Sequence, residues 1–174
     1  MFTRKDEPQE HDNVITFRGN PMTLVGDIRR AGDAAPNFPA VKNDLTEMHL
    51  HDILGMKALI LSVPSLDTPV CDLEVRRFNR EAAKLKNVKV LTISMDLPFA
   101  QARWCGAAGI ENIVTLSDYK YRGFGLSYGL LIKELMLLTR AVIVVDEKGV
   151  ITHQEIVREV SEHPNYDAAI IAAG

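Results

Sequence analysis

An α/β fold built on one central sheet is what this sequence predicts, and three stretches carry the expectation. Ala58–Val63 (Ala-Leu-Ile-Leu-Ser-Val) is apolar and short enough for a buried strand. After it, Val75, Phe78, Ala82 and Leu85 recur at helical spacing and mark one apolar face of a helix from about Pro69 to Lys86. A second apolar run, Val88–Ser94, follows at once. Strand, helix and strand in that order form a βαβ unit, which implies parallel strands joined by a right-handed crossover.

The remaining elements are placed around this unit. Val14–Phe17 and Met22–Leu24 are short β-like runs joined by the turn signal Arg18-Gly-Asn-Pro21, so an N-terminal hairpin is expected. Gly32–Pro39 carries two prolines and reads as an extended loop. Leu45–Leu54 is ambiguous. His49 and His51 would share one strand face there, but no nearby Cys or His completes a metal site, so a solvated or half-buried pair is the expectation. Lys84, Lys86 and Asn87 suit the C-terminus of the first helix. Asp96 is a candidate cap for a short helix that carries Pro98 in its first turn and ends at Gly106. Ile113–Leu116 is a further strand candidate, and Tyr121–Tyr128 a further helical turn. Gly129–Thr139 is apolar without a clear period, which suits packing against another surface such as a second subunit. Ala141–Val145 and Val150–Gln154 flank the hairpin signal Asp146-Glu-Lys-Gly149, and Asn165–Ala173 reads as a last helix.

Length and composition bound the function classes. A chain of 174 residues is most simply one domain able to bury a core without disulfide staples. The expected layout is a disordered polar arm over residues 1–12 and a single domain over 13–174. A net charge of −3 with 25% charged residues gives no footprint for nucleic acid or acidic membranes. No apolar run approaches the roughly 18 residues that would span a bilayer. Met1–Asp12 lacks the apolar core of a secretory signal, so the cytosol is the default compartment. There, two cysteines are not expected to act as a passive staple.

Chemistry points to the turn between the first strand and helix of the βαβ unit. Thr68 is a good N-cap and puts Pro69 at N1, where its missing N–H costs nothing. Cys71 then falls at N3, the place of the carboxylate or amide in a capping box. Free N–H groups and the positive helix end favour an anion there. Asp67, Asp72 and Glu74 lie close in sequence and work against that anion, so a cation must come from elsewhere in the fold. Arg140 is the candidate, at the mouth of a strongly apolar strand where an unpaired guanidinium is costly to hold. Its plain alternative is a surface arginine at a strand end. Cys105 sits at the negative end of its short helix if Gly106 ends it, and a thiolate is disfavoured there. Its plain alternative is a small buried hydrophobe.

Pro64-x-x-x-Thr68-x-x-Cys71, Cys105 within Phe99-Ala-Gln-Ala-Arg-Trp-Cys-Gly106, and Arg140 opening Arg-Ala-Val-Ile-Val-Val-Asp146 resemble the thiol peroxidases, the atypical two-cysteine family of the peroxiredoxin superfamily. The likeness runs from about Val14 to the C-terminus. It implies a thioredoxin-like fold, with a central mixed sheet flanked by helices and an N-terminal β-hairpin. It also implies a peroxidase acting on hydrogen peroxide and organic hydroperoxides. Cys71 would be the peroxidatic cysteine and Cys105 the resolving one, paired in an intrachain disulfide. Thr68 would bond the sulfur or substrate, Arg140 would hold thiolate and peroxide, and Pro64 would screen the sulfur from water. Thioredoxin is the implied reductant and a homodimer the implied assembly, with no cofactor and no metal. Pro69 departs from the glycine common at its position.

Two rival readings remain at this point. A thiol–disulfide oxidoreductase would carry Cys-x-x-Cys, but positions 68 and 74 are Thr and Glu. A non-enzymatic redox sensor or binding module would react once with peroxide rather than cycle.

Overall fold

The computed structural model describes residues 7–174. The chain opens with a hairpin of β1 (Glu10–Phe17) and β2 (Asn20–Val25). Phe17 pairs with Asn20, so the loop is the two residues Arg18 and Gly19. Their φ values of 51° and 79° are both positive, as the tightest hairpin turns require. Residues 10–12 therefore belong to a strand rather than to a disordered arm, and residues 1–6 of that expected arm lie outside the described residues. Polar residues at the start of a sheet-edge strand hide it from an apolar-run reading.

β3 (Pro39–Lys42) and β4 (Glu47–His49) come next, followed by a 3₁₀ turn over Leu50–Ile53. His49 ends the strand and His51 lies in the 3₁₀ turn, so the two imidazoles do not share a strand face as expected. The βαβ unit then appears as β5 (Lys57–Ser62), α1 (Pro69–Ala82) and β6 (Val88–Ser94). The helix stops one turn before its expected end at Lys86, and the chain re-enters the sheet through Asn87 at φ 58°.

α2 (Pro98–Ala108) leads to β7 (Val114–Ser117) and the short α3 (Gly123–Ser127). Gly106 does not end α2. The helix runs on to Ala108 and closes at Gly109, whose φ of 64° is the left-handed conformation of a C-terminal cap. The N-cap of α2 is Leu97, not Asp96. β8 (Leu131–Ile132), β9 (Leu137–Leu138), β10 (Ala141–Val145), β11 (Ile151–Ile156) and α4 (Tyr166–Ala173) complete the chain. Asn165 caps α4 by accepting a hydrogen bond from Ala168 N.

A seven-stranded sheet runs in the order β11-β10-β5-β6-β7-β3-β4. Its centre, β5-β6-β7, is parallel, and the outer pairs are antiparallel. Alternation along β5 sends Leu59 and Leu61 to one face and Ala58 and Ile60 to the other. The first face packs Val75 and Phe78 of α1, Trp104 of α2 and Ala169 of α4. The second packs Phe38, Phe124 and Tyr128 together with Leu130, Leu131 and Leu138. β1, β2, β8 and β9 form a separate antiparallel sheet. The apolar stretch 129–139 is thus largely absorbed by the chain's own cores: Leu130, Leu131, Ile132 and Leu138 are buried, and of its apolar residues Leu135 and Met136, in the turn with Lys133 and Glu134, are left exposed. No helix among the described residues is long and apolar enough to cross a membrane.

Candidate active site

The site lies at the C-terminal end of β5, where topology forces three elements together. Val63 and the buried Pro64 carry the chain out of the strand into the turn that opens α1. β10 runs antiparallel beside β5, with Ala141 opposite Ser62. Arg140, one residue before Ala141, therefore stands at the same sheet end as α1. Two backbone contacts fix it: Ser62 Oγ donates to Thr139 O at 2.8 Å, and Val157 N donates to Arg140 O at 2.9 Å.

Thr68 has the extended backbone of an N-cap (φ −130°, ψ 146°), with Pro69 at N1, so Cys71 occupies N3. The Thr68 hydroxyl, however, does not cap the helix. It donates to Ser65 O at 2.9 Å and closes the turn on itself. The first-turn N–H groups of α1 are left without a side-chain cap, at the helix end that carries Cys71. Asp96 braces the same turn: it accepts from Leu66 N at 2.8 Å and from Ser65 Oγ at 2.7 Å.

Arg140 meets Cys71 inside the protein. The arginine is 2% exposed, and its Nη2 donates to Cys71 Sγ at 3.2 Å. Its Nε donates to Val160 O at 2.9 Å, and its Nη1 is ion-paired with Glu74. All three guanidinium nitrogens are thus committed, which removes the surface-arginine alternative.

Glu74 is the functional-site residue that local sequence reading places wrongly. It was expected to oppose an anion at Cys71, yet it is 0% exposed and pairs with the arginine instead. The signal was its spacing. Cys71 and Glu74 are i and i+3 on α1, so both share the inward face with Val75 and Phe78. Burial pushes its carboxyl up to about 7, against the attraction of Arg140. For Arg140, burial opposes the charge, but the neighbouring Glu74 and Cys71 outweigh it and hold the guanidinium further up. The guanidinium therefore stays charged, and the carboxyl is the member that titrates. Its Oε1 has no hydrogen-bond partner among the described residues, consistent with burial dominating.

A folded-state value of about 7 lies above the ordinary carboxyl value of 4.5. The folded chain thus binds this proton more tightly than the unfolded chain. Its contribution to stability is fully present below pH 4.5 and is lost as pH rises through about 7. Glu74→Gln is expected to flatten the fall in unfolding free energy between these limits, by about 2–3 kcal/mol. Urea unfolding of both proteins at pH 4.5 and 7.5 reads this, and parallel pH profiles would refute it.

Cys105 has different company. It is half-buried in the last turn of α2, and its backbone O accepts from Ile110 N at 3.2 Å. Its Sγ lies 3.4 Å from Thr115 Oγ1 and accepts from Asn43 Nδ2 at 3.9 Å. It lines a cavity of about 300 Å³ with Lys42, Ile110 and Ile113. Both cysteines are free thiols. Cys71 hangs from the β5 end and Cys105 leans on β7, with β6 between them, so the structure does not bring the two sulfurs together.

The Redoxin family model matches residues 30–170. The thiol peroxidase of Listeria innocua is 55% identical over 159 residues, 91% of this chain and 96% of that protein. The chain belongs to the thiol peroxidase branch of the redoxin family. The thiol peroxidase of Bacillus subtilis is 54% identical over 91% of this chain and 95% of its own. Among solved structures, a peroxiredoxin-like protein from Aquifex aeolicus superimposes with a TM-score of 0.88 at 40% identity, over 94% of this chain and 97% of that one. The redoxin architecture, a mixed sheet flanked by helices, is the thioredoxin-like fold that the resemblance implied.

Proposed function

We propose that this redoxin is a thiol-dependent peroxidase, with Cys71 as the attacking sulfur and Cys105 as the resolving one. One observation carries the reading: a buried, permanently charged guanidinium donates to a cysteine sulfur at a helix N-terminus, at 3.2 Å. The Cys71 thiolate attacks one oxygen of ROOH, the O–O bond breaks, and RO⁻ leaves and takes up a proton as alcohol or water. Charge moves from sulfur to the departing oxygen, and Arg140 with the uncapped first-turn N–H groups of α1 faces that movement. Thr68 shapes the turn through Ser65, and Pro64 closes the site on its strand side. Cys71 becomes a sulfenic acid. The Cys105 thiol then condenses with it, giving a Cys71–Cys105 disulfide and one water.

A disulfide needs Cα atoms within about 7 Å, and the sulfurs now face different strands, so the ends of both helices must rearrange during this step. An external dithiol returns both cysteines to thiols. Thioredoxin in the cytoplasm is the reductant we assign, and a homodimer the working assembly.

The testing experiment is peroxide consumption by the purified chain, coupled to thioredoxin and its reductase. Continuous turnover supports an enzyme, and one equivalent consumed without cycling supports a sensor. Cys105→Ser is expected to keep the first turnover within about twofold while losing recycling by thioredoxin at least ~10²-fold, with partial rescue by a small thiol. Undiminished thioredoxin-coupled turnover in that variant would remove Cys105 from the mechanism.

A further inference from the structure

The residue after Cys71 is hydrogen-bonded to the residue before Cys105. Trp104 Nε1 donates to Asp72 Oδ1 at 2.9 Å. Arg76, one turn along α1, reinforces this from two sides. Its Nε donates to both Asp72 oxygens, at 3.0 and 2.9 Å. Its Nη1 donates to Ala108 O at 3.2 Å, the last carbonyl of α2, while its guanidinium lies 5.9 Å from the Trp104 ring centroid. A cation on the closing carbonyl of a helix stabilises that helix end against fraying.

None of these three side chains is hydrogen-bonded to Cys71 Sγ or Cys105 Sγ, whose partners are Arg140 for the first and Asn43 and Thr115 for the second. They join the two helix segments that carry the sulfurs, and both segments must rearrange before the sulfurs can meet. We propose that Asp72, Arg76 and Trp104 form a latch between α1 and α2 that holds both cysteines in the peroxide-reactive arrangement and limits the rate at which Cys105 reaches Cys71. They are positioning residues. The inference rests on the pairing of Cys71 with Cys105 put forward above.

The latch sets a competition. While it is closed, a Cys71 sulfenic acid stays beside Arg140 and away from Cys105. A second peroxide can then oxidise it to the sulfinic acid, with water or alcohol as the other product. Opening the latch favours condensation with Cys105 instead. Weakening it should therefore speed the disulfide step and protect against over-oxidation, without changing the first attack on peroxide. A change that only loosened the fold would not move these quantities in that pattern.

Trp104 is the only tryptophan, so its fluorescence reports the latch directly. Reduced protein is mixed with excess hydrogen peroxide in a stopped-flow instrument. Parallel samples are acid-quenched, alkylated and weighed by mass spectrometry for sulfenic, disulfide and sulfinic forms. In the parent protein, Trp104 fluorescence should change in step with the disulfide and not with sulfenic acid formation. Trp104→Phe keeps the packing ring and removes the donor; Arg76→Gln removes the charged clamp and keeps the tryptophan. In both, disulfide formation should be faster by about five- to tenfold, as for the net loss of one ordinary hydrogen bond. The peroxide concentration giving half sulfinic acid should rise by a similar factor, with the first turnover within about twofold of the parent.

Unchanged or slower disulfide formation in both variants overturns the latch. Failure of the underlying reading looks different. A parent that consumes peroxide but forms no Cys71–Cys105 disulfide overturns the pairing and the latch with it. A parent that consumes no peroxide overturns the peroxidase assignment as well.

Discussion

Peroxide consumption by Cys71→Ser is expected to fall to the uncatalysed background, a loss of at least about 10⁴-fold, as for removal of a covalent nucleophile elsewhere. Serine is nearly the same shape, and Arg140 can donate to its hydroxyl as it does to the sulfur, so the fold should survive the change. The hydroxyl stays protonated at neutral pH and has no accessible oxidation state corresponding to a sulfenic acid, so nothing remains to take up the peroxide oxygen. Cys105 cannot substitute. Its sulfur contacts the neutral Thr115 hydroxyl and Asn43 amide, with no guanidinium in reach of a hydrogen bond among the described residues. The check is initial-rate consumption of hydrogen peroxide and of one alkyl hydroperoxide, with circular dichroism confirming the fold. Activity above about a tenth of the parent would place the chemistry elsewhere.

Much of this site can be read in the sequence because its parts obey local rules. The βαβ unit shows as an apolar run, a helical period and a second run; the two runs became parallel neighbours at the centre of the sheet and the helix packs on one of its faces. Counting from Thr68 places Cys71 at N3 of α1. Arg140 stands out because an arginine heading a strand as apolar as Ala141–Val145 needs a buried partner. The failures are equally physical. Glu74 is acidic and near Cys71 in sequence, and only its tertiary neighbour decides whether its charge faces the sulfur or the arginine. Gly106 reads as a helix stop, but α2 is closed by the left-handed Gly109 three residues later. Two-residue strands such as β8 and β9 are too short to show a period, so stretch 129–139 reads as an unassigned apolar surface when it is core. The Asp72–Trp104 contact joins positions in different helices and has no local signature.

Arg140→Met is expected to have the next largest effect, on rate and stability together. The rate of the first turnover should fall by about 10²–10³-fold, the cost of removing one preorganised donor from a charge-shifting transition state. The stability loss should grow above neutral pH toward about 3–5 kcal/mol, because Glu74, left in the interior without its partner, must either take up a proton or stay an uncompensated carboxylate. The sign of its pH dependence follows from the carboxyl. Burial already pushes it up to about 7 beside the guanidinium, and loss of that cation moves it further up. The variant should therefore lie closest to the parent at pH 5, where Glu74 is protonated, and fall furthest behind at pH 8.

Combining Arg140→Met with Glu74→Gln separates the two roles. The double variant no longer buries an uncompensated charge, so most of the lost stability should return, while the rate stays low because Cys71 still lacks its donor. Urea unfolding at pH 5 and 8 and first-turnover kinetics on the three variants decide it. If the double variant recovered its rate, Arg140 would serve only to neutralise Glu74. If it recovered neither rate nor stability, the arginine's contact with Val160 O, rather than its charge, would be what the fold requires.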